Sequence, residues 1–209
     1  MKLWFETHAT STDNERGLAS GYRDAPLSAT GRVQAAELGT RYAERALRRV
    51  YTSDLERSTS TAQIAFGQTE IERVPDRRLR ECDYGSWSGC SVRQMDAGRA
   101  DFVDQPFPGG ESFRDVVCRV ESFLHDLAQV EGPVLIIGHR APWYALEHLI
   151  NGRDLLQVVS APWTWQPGWE YELLKPFTDG AAGRTACPRF PVNRVHVLLQ
   201  ELEVPGDCR

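Results

Sequence analysis

The chain has 209 residues, 41% hydrophobic and 25% charged, without repeats or low-complexity tracts. That composition excludes disordered, collagen-like and coiled-coil proteins and predicts one globular domain spanning residues 1–209. A net charge of −5 offers no basic field to a nucleic-acid backbone, and no apolar run approaches membrane-spanning length, so neither nucleic acid nor membrane is an expected partner.

In chain order, Lys2 to Glu6 reads as a strand, too short and too soon charged for a signal peptide, which predicts a cytoplasmic protein. It runs into the polar loop Thr7 to Asn14, and a helix is expected from Ser28 to about Leu47. Val50 to Thr52 is a second strand, with Ser53-Asp54 as the expected N-cap pair of a helix that carries Arg57 in its first turn. From Glu111 to Gln129, Phe113, Val116, Val117, Val120, Leu124 and Leu127 keep a helical spacing, so this segment is an amphipathic helix. Gly109-Gly110 before it reads as a plain turn, with Glu111 favouring the helix dipole. Pro133 to Ile137 is the continuous apolar run of a central parallel strand, followed by Gly138-His139-Arg140 and a helix through Leu149. Two later strands are expected near Trp169 to Leu174 and Arg194 to Leu202. Alternating strands and helices make this an α/β protein, with helices on both faces of the sheet.

The five cysteines, Cys82, Cys90, Cys118, Cys187 and Cys208, form no CxxC pair and indicate neither a disulfide framework nor a zinc site. The basic residues are nearly all arginine, with Lys2 and Lys175 the exceptions, which by itself decides nothing. More telling, His8 and His139 each follow a strand, and in open parallel sheets ligands bind at the carboxyl ends of the strands. Either histidine alone is as well explained by a backbone hydrogen bond; the matching placement of both points to one shared site.

Several segments then form a pattern: Thr7-His8-Ala9 with Thr10 and Asn14, Ser20-Gly21 and Asp24, Pro26-Leu27-Ser28 with Gly31, Thr52-Ser53-Asp54-Leu55-Glu56-Arg57 with Thr61-Ala62, Leu79-Arg80-Glu81, and Gly138-His139. The pattern covers most of residues 1–150 and resembles the histidine phosphatase superfamily, the phosphoglycerate mutase-like fold. The resemblance implies a three-layer α/β/α sandwich with a mostly parallel central sheet, and hydrolysis of a small phosphorylated metabolite with no cofactor and no metal. It also implies roles. His8 is the nucleophile and forms a phosphohistidine. Glu81 protonates the leaving group, Arg57 and His139 stabilise the phosphoryl oxygens, and Asn14 donates a hydrogen bond. Thr7, Ser20, Gly21 and Arg140 complete the expected substrate-binding set. A homodimer is compatible with the pattern and is not fixed by it.

Four departures qualify the resemblance. Thr7 stands where the family has Arg, and a neutral hydroxyl in place of a guanidinium lowers the rate by roughly ten to a few hundredfold if the difference is felt in the transition state. Arg140 stands where the family has Gly, so its guanidinium is expected to replace the missing charge from the opposite side of the pocket; a surface salt bridge is the competing reading. Cys82 and Ala141 replace the Arg and Asn of the mutase branch, which disfavours phosphoglycerate mutase activity. Ala9 replaces Gly, so the turn after His8 must suit an L-residue. Trp163, Trp165, Trp169 and Tyr171 form either an aromatic pocket wall or core packing. Two other functions stay open: a phosphate-binding protein without chemistry, and an enzyme using the same cleft on a substrate with no phosphoryl group.

Overall fold

The apolar run near residue 135 becomes the middle strand of a five-stranded sheet. The computed structural model describes residues 1–174, and within them β1 (Lys2–Thr7), β2 (Arg49–Thr52), β3 (Glu72–Pro75), β4 (Val134–Gly138) and β5 (Trp169–Glu172) lie in the order β3-β2-β4-β1-β5. The first four are parallel, and β5 closes one edge antiparallel to β1. Between the strands run α1 (Thr12–Glu15), α2 (Ala29–Tyr42), α3 (Glu56–Phe66), α4 (Val92–Gly98), α5 (Phe113–Leu127), α6 (Arg140–Leu149) and α7 (Leu155–Ser160). The expected strand over Arg194 to Leu202 lies outside the described residues, as do Cys187 and Cys208. Cys82 and Cys90 are free thiols.

Strand alternation divides the core in two. Leu3, Phe5, Val134 and Ile136 pack with the apolar stripe of α5 and with α6 and α7. Trp4, Val50, Leu135 and Ile137 point the other way, onto Leu38 and Tyr42 of α2 and Ala62 and Phe66 of α3. Helices therefore cover both faces, and the architecture is the expected three-layer α/β/α sandwich. All five residues of β4 are buried, which is why its sequence is apolar throughout instead of alternating.

Helix ends differ from expectation in two places. α2 stops at Tyr42, short of Leu47, because the chain turns toward β2 through Ala46, which adopts a left-handed φ of 47°. Ser53 and Asp54 do not cap α3. Leu55 occupies the N-cap position, and the Glu56 N–H instead donates to Asp24 Oδ1 at 2.7 Å, while Asp54 pairs with Arg80 through two bonds of 2.6 Å. By contrast α5 starts with a full capping box between Ser112 and Asp115, and Ser28 caps α2. Among the described residues no helix is long and apolar enough to cross a membrane.

Gly31 lets the first turn of α2 rest against the loop that follows His8. A Cβ there would lie 1.9 Å from the Thr10 carbonyl oxygen. Gly→Ala in an open helix interior stabilises by ~1 kcal/mol. Here Gly31→Ala is expected to destabilise by about 1–3 kcal/mol through overpacking, read as a lower urea midpoint at unchanged slope.

Candidate active site

Parallel pairing of β1 with β4 sets Thr7 opposite Gly138, and the His8 N–H donates to the Gly138 carbonyl at 2.9 Å. The two expected histidines are thereby carried side by side past the strand ends. Their ring centroids are 4.9 Å apart with the planes tilted by 56°. His8 Nδ1 lies 2.7 Å from the carbonyl of Ala9, a geometry in which Nδ1–H donates and Nε2 keeps its lone pair. Ala9 holds this turn without a left-handed φ; its own N–H donates to Thr61 Oγ1 at 3.0 Å. His139, 1% exposed, shares a 2.6 Å hydrogen bond with Ser53 through Nε2, and its Nδ1 is buried without a partner.

Arg57 is fully enclosed. Its Nη1 and Nη2 donate to the carbonyls of Arg23 and Gly21 at 2.9 and 2.8 Å, which aims Nε at His8 Nε2, 3.2 Å away. Gly21 has φ 56°, a conformation that lets its carbonyl turn toward the guanidinium. Glu81 is docked on the start of α6. Its Oε1 accepts from the N–H groups of Cys82 and Ala141 at 2.9 and 3.0 Å, and Oε2 accepts from that of Arg140 at 3.2 Å.

A cavity of about 520 Å³ opens over this cluster. Thr7, His8, Asn14, Ser20, Gly21, Arg57, Glu81 and Arg140 line it, so every expected site residue except the buried His139 faces the same space. Asn14 spends its Oδ1 on a capping box with Ser11, which leaves its amide nitrogen for a ligand. Ser20 donates to the buried Asp13 at 3.0 Å. The Trp and Tyr cluster divides: Trp163 and Trp165 are at the cavity, whereas Trp169 packs on Phe5 and Tyr171 is buried with its hydroxyl on Glu147. Among the described residues no three His, Cys, Asp or Glu side chains are grouped to hold a metal ion.

Several supporting residues escaped sequence reasoning. Ser53 had been assigned to helix capping, yet it positions His139. Thr61 donates to the Arg57 carbonyl at 2.6 Å while accepting from Ala9, tying α3 to the loop that carries His8. Glu111, just before α5, also accepts from the Asp83 N–H at 3.0 Å and from the buried Arg119, whose guanidinium donates to the carbonyls of Arg78 and Glu81. These groups hold the Glu81 loop. Nothing in the local sequence singles them out: Ser53, Thr61 and Glu111 each stand beside other polar or small residues.

Two neighbouring histidines at the ends of parallel strands, with an enclosed arginine and a carboxylate over one cavity, define a phosphoryl-transfer type of α/β site. Residues 3–163 match the model of the histidine phosphatase superfamily (branch 1), and the chain belongs to that family. It is 32% identical over 170 residues to phosphoserine phosphatase 1 of Hydrogenobacter thermophilus, covering 77% of this chain and 81% of the relative. It is 31% identical over 170 residues to a 2,3-bisphosphoglycerate-dependent phosphoglycerate mutase of Mesorhizobium japonicum, covering 73% and 82%. Among solved structures, Bacillus stearothermophilus YhfR superposes with a TM-score of 0.73 at 29% identity, covering 87% of this chain and 95% of that one. A mycobacterial glucosyl-3-phosphoglycerate phosphatase complexed with VO3 gives a TM-score of 0.69 at 26% identity, covering 77% and 87%. The fold is phosphoglycerate mutase-like.

Burial, reinforced by the Arg57 charge, pulls the His8 pKa from 6.5 down to about 3 although one edge of the ring opens to the cavity. Burial first, and then Arg57, hold His139 well below its usual value. Both rings are therefore neutral near pH 7. Because the folded pKa values lie below the unfolded value, stability is complete above about pH 6.5 and falls as pH drops beneath it, His8 contributing down to about 3. His8→Gln is expected to flatten the decline between pH 6 and 4 by ~1.4 kcal/mol per pH unit, measured by urea unfolding at each pH.

Proposed function

We propose that the protein is a phosphomonoesterase that needs no metal and acts through a phosphohistidine on His8. The observation that carries this reading is the fixed His8 ring: Nδ1 is committed to the Ala9 carbonyl, and Nε2 is held neutral beside Arg57 and the second imidazole. The Nε2 lone pair attacks phosphorus and forms the N–P bond as the bond to the leaving oxygen breaks; water then cleaves the phosphohistidine and releases inorganic phosphate. Arg57 Nε–H, which points at the His8 lone pair in the free site, passes to a phosphoryl oxygen as that lone pair is used. His139 serves the same oxygens through Nδ1, which carries the ring proton when the Ser53 hydroxyl donates to Nε2. Asn14 adds its amide nitrogen. Ser20 and Gly21 shape the wall beside Arg57.

Glu81 is the general acid for the leaving alkoxide and afterwards the base for water. Oε2, with one backbone donor against two at Oε1, is the oxygen freer to carry the proton. The substrate is a small phosphomonoester, in keeping with the phosphatases among the relatives. Hydrolysis is favoured over the mutase reaction because Cys82, which stands where a mutase carries Arg, is completely buried and cannot reach a substrate carboxylate.

The direct test is turnover of p-nitrophenyl phosphate and of phosphoserine with a chelator present. His8→Ala is expected to abolish both, and acid quench of the parent to trap phosphate on His8. Equal rates in parent and variant would remove the reading, and phosphate binding without turnover on a broad panel would make the protein an anion-binding member of the family. Glu81→Gln is expected to lower kcat by ~10²–10⁴-fold on phosphoserine, whose alkoxide needs a proton, but by about tenfold or less on p-nitrophenyl phosphate, whose phenolate leaves without one.

A further inference from the structure

In the family pattern a guanidinium grips the phosphoryl group from the residue before the nucleophile, and here that residue is Thr7. Strand alternation puts Thr7 on the same side of the sheet as Leu3 and Phe5, the side covered by α5 and α6. Thr7 also pairs with Gly138, so the end of β1 lies against the segment that opens α6 with Arg140. A side chain at 7 and a side chain at 140 therefore approach one region of the cavity, and both line it.

The Arg140 guanidinium is held in place there. It lies over the rings of Trp163 and Tyr144, at 5.2 and 5.7 Å from their centroids, and its Nη1 donates to Asp96 at 3.0 Å. Asp96 also pairs with the buried Arg99, so one carboxylate is shared by two guanidinium groups. Nε and Nη2, the two donors of the side-on fork, are buried with no hydrogen-bond partner. The Tyr144 hydroxyl sits close to the guanidinium but outside hydrogen-bond geometry. Buried donors are rarely left unpaired, and a parallel pair on one planar group matches two oxygens of a tetrahedral oxyanion.

We infer that Arg140 supplies, from the start of α6, the phosphoryl-gripping guanidinium that the family carries at position 7, with Asp96, Trp163 and Tyr144 as its positioning residues. The inference rests on the phosphatase reading above. Its bearing on catalysis is that the charge reaches the phosphoryl group from the α6 side of the cavity that Arg140 lines.

Two readouts test it: kcat/KM on p-nitrophenyl phosphate, and orthovanadate affinity by calorimetry, which needs no turnover. Arg140→Met, which keeps the stem on Trp163, is expected to lower both by roughly ten to a few hundredfold, and Arg140→Lys, which keeps charge without the fork, to fall between. Thr7→Arg combined with Arg140→Met is expected to recover about tenfold or more of the loss, while Thr7→Arg alone gains little. If Arg140→Met stays within about twofold of the parent on both readouts while His8→Ala is inactive, the phosphatase stands and the role of Arg140 is overturned. A loss that Thr7→Arg does not recover assigns Arg140 to packing and overturns the exchange as well. A parent that neither turns over nor binds vanadate ends both proposals.

Discussion

The site depends on the register between β1 and β4. These neighbouring parallel strands pair Thr7 with Gly138, so the chain leaves the sheet twice at the same level and delivers His8 and His139 together. Side chains alternate along a strand, and a slip of one residue would turn every β1 side chain to the opposite helix layer and separate the imidazoles. The slip is opposed by the core itself: Leu3 and Phe5 belong to one apolar layer and Trp4 to the other, and β4 is buried on both faces. Packing that stabilises the fold is thus what sets the distance between two imidazoles more than 130 positions apart in sequence.

Around that frame the polar groups of the site are held mostly by main-chain partners. Arg57 rests on two carbonyls, His8 on a third, and Glu81 on three N–H groups. Side chains enter one layer further out, where Ser53 holds His139, Thr61 bridges α3 to the His8 loop, and Glu111 with Arg119 clamps the loop that carries Glu81. Donors and acceptors fixed in this way need little reorganisation as charge moves during phosphoryl transfer.

Much of this was legible in the sequence because it follows from periodicity. The apolar stripe of α5, the continuous run of β4 and the helix start at Ser28 report directly on burial and helix position. What escaped was decided by partners distant along the chain. Ser53-Asp54 has the composition of an N-cap, but His139 and Arg80 draw those side chains away and Asp24, from another loop, takes over the first turn of α3. Glu111 fits a helix dipole by position and also answers to Asp83 and Arg119. The aromatic cluster near residue 165 could be divided between cavity and core only once β5 was seen pairing with β1, which places Trp169 against Phe5 and leaves Trp163 and Trp165 at the opening.

Glu81 receives its three hydrogen bonds from the amides of residues 82, 140 and 141, and these are the positions where Cys82, Arg140 and Ala141 depart from the mutase pattern. A peptide N–H is the same whichever side chain it accompanies, proline excepted. The hydrogen bonds that hold the Glu81 carboxylate are therefore insulated from the side-chain identity at the residues that donate them. Of the three, only Arg140 lines the cavity, so it is there that the wall can change while Glu81 keeps its seat; Cys82 and Ala141 are buried away from it.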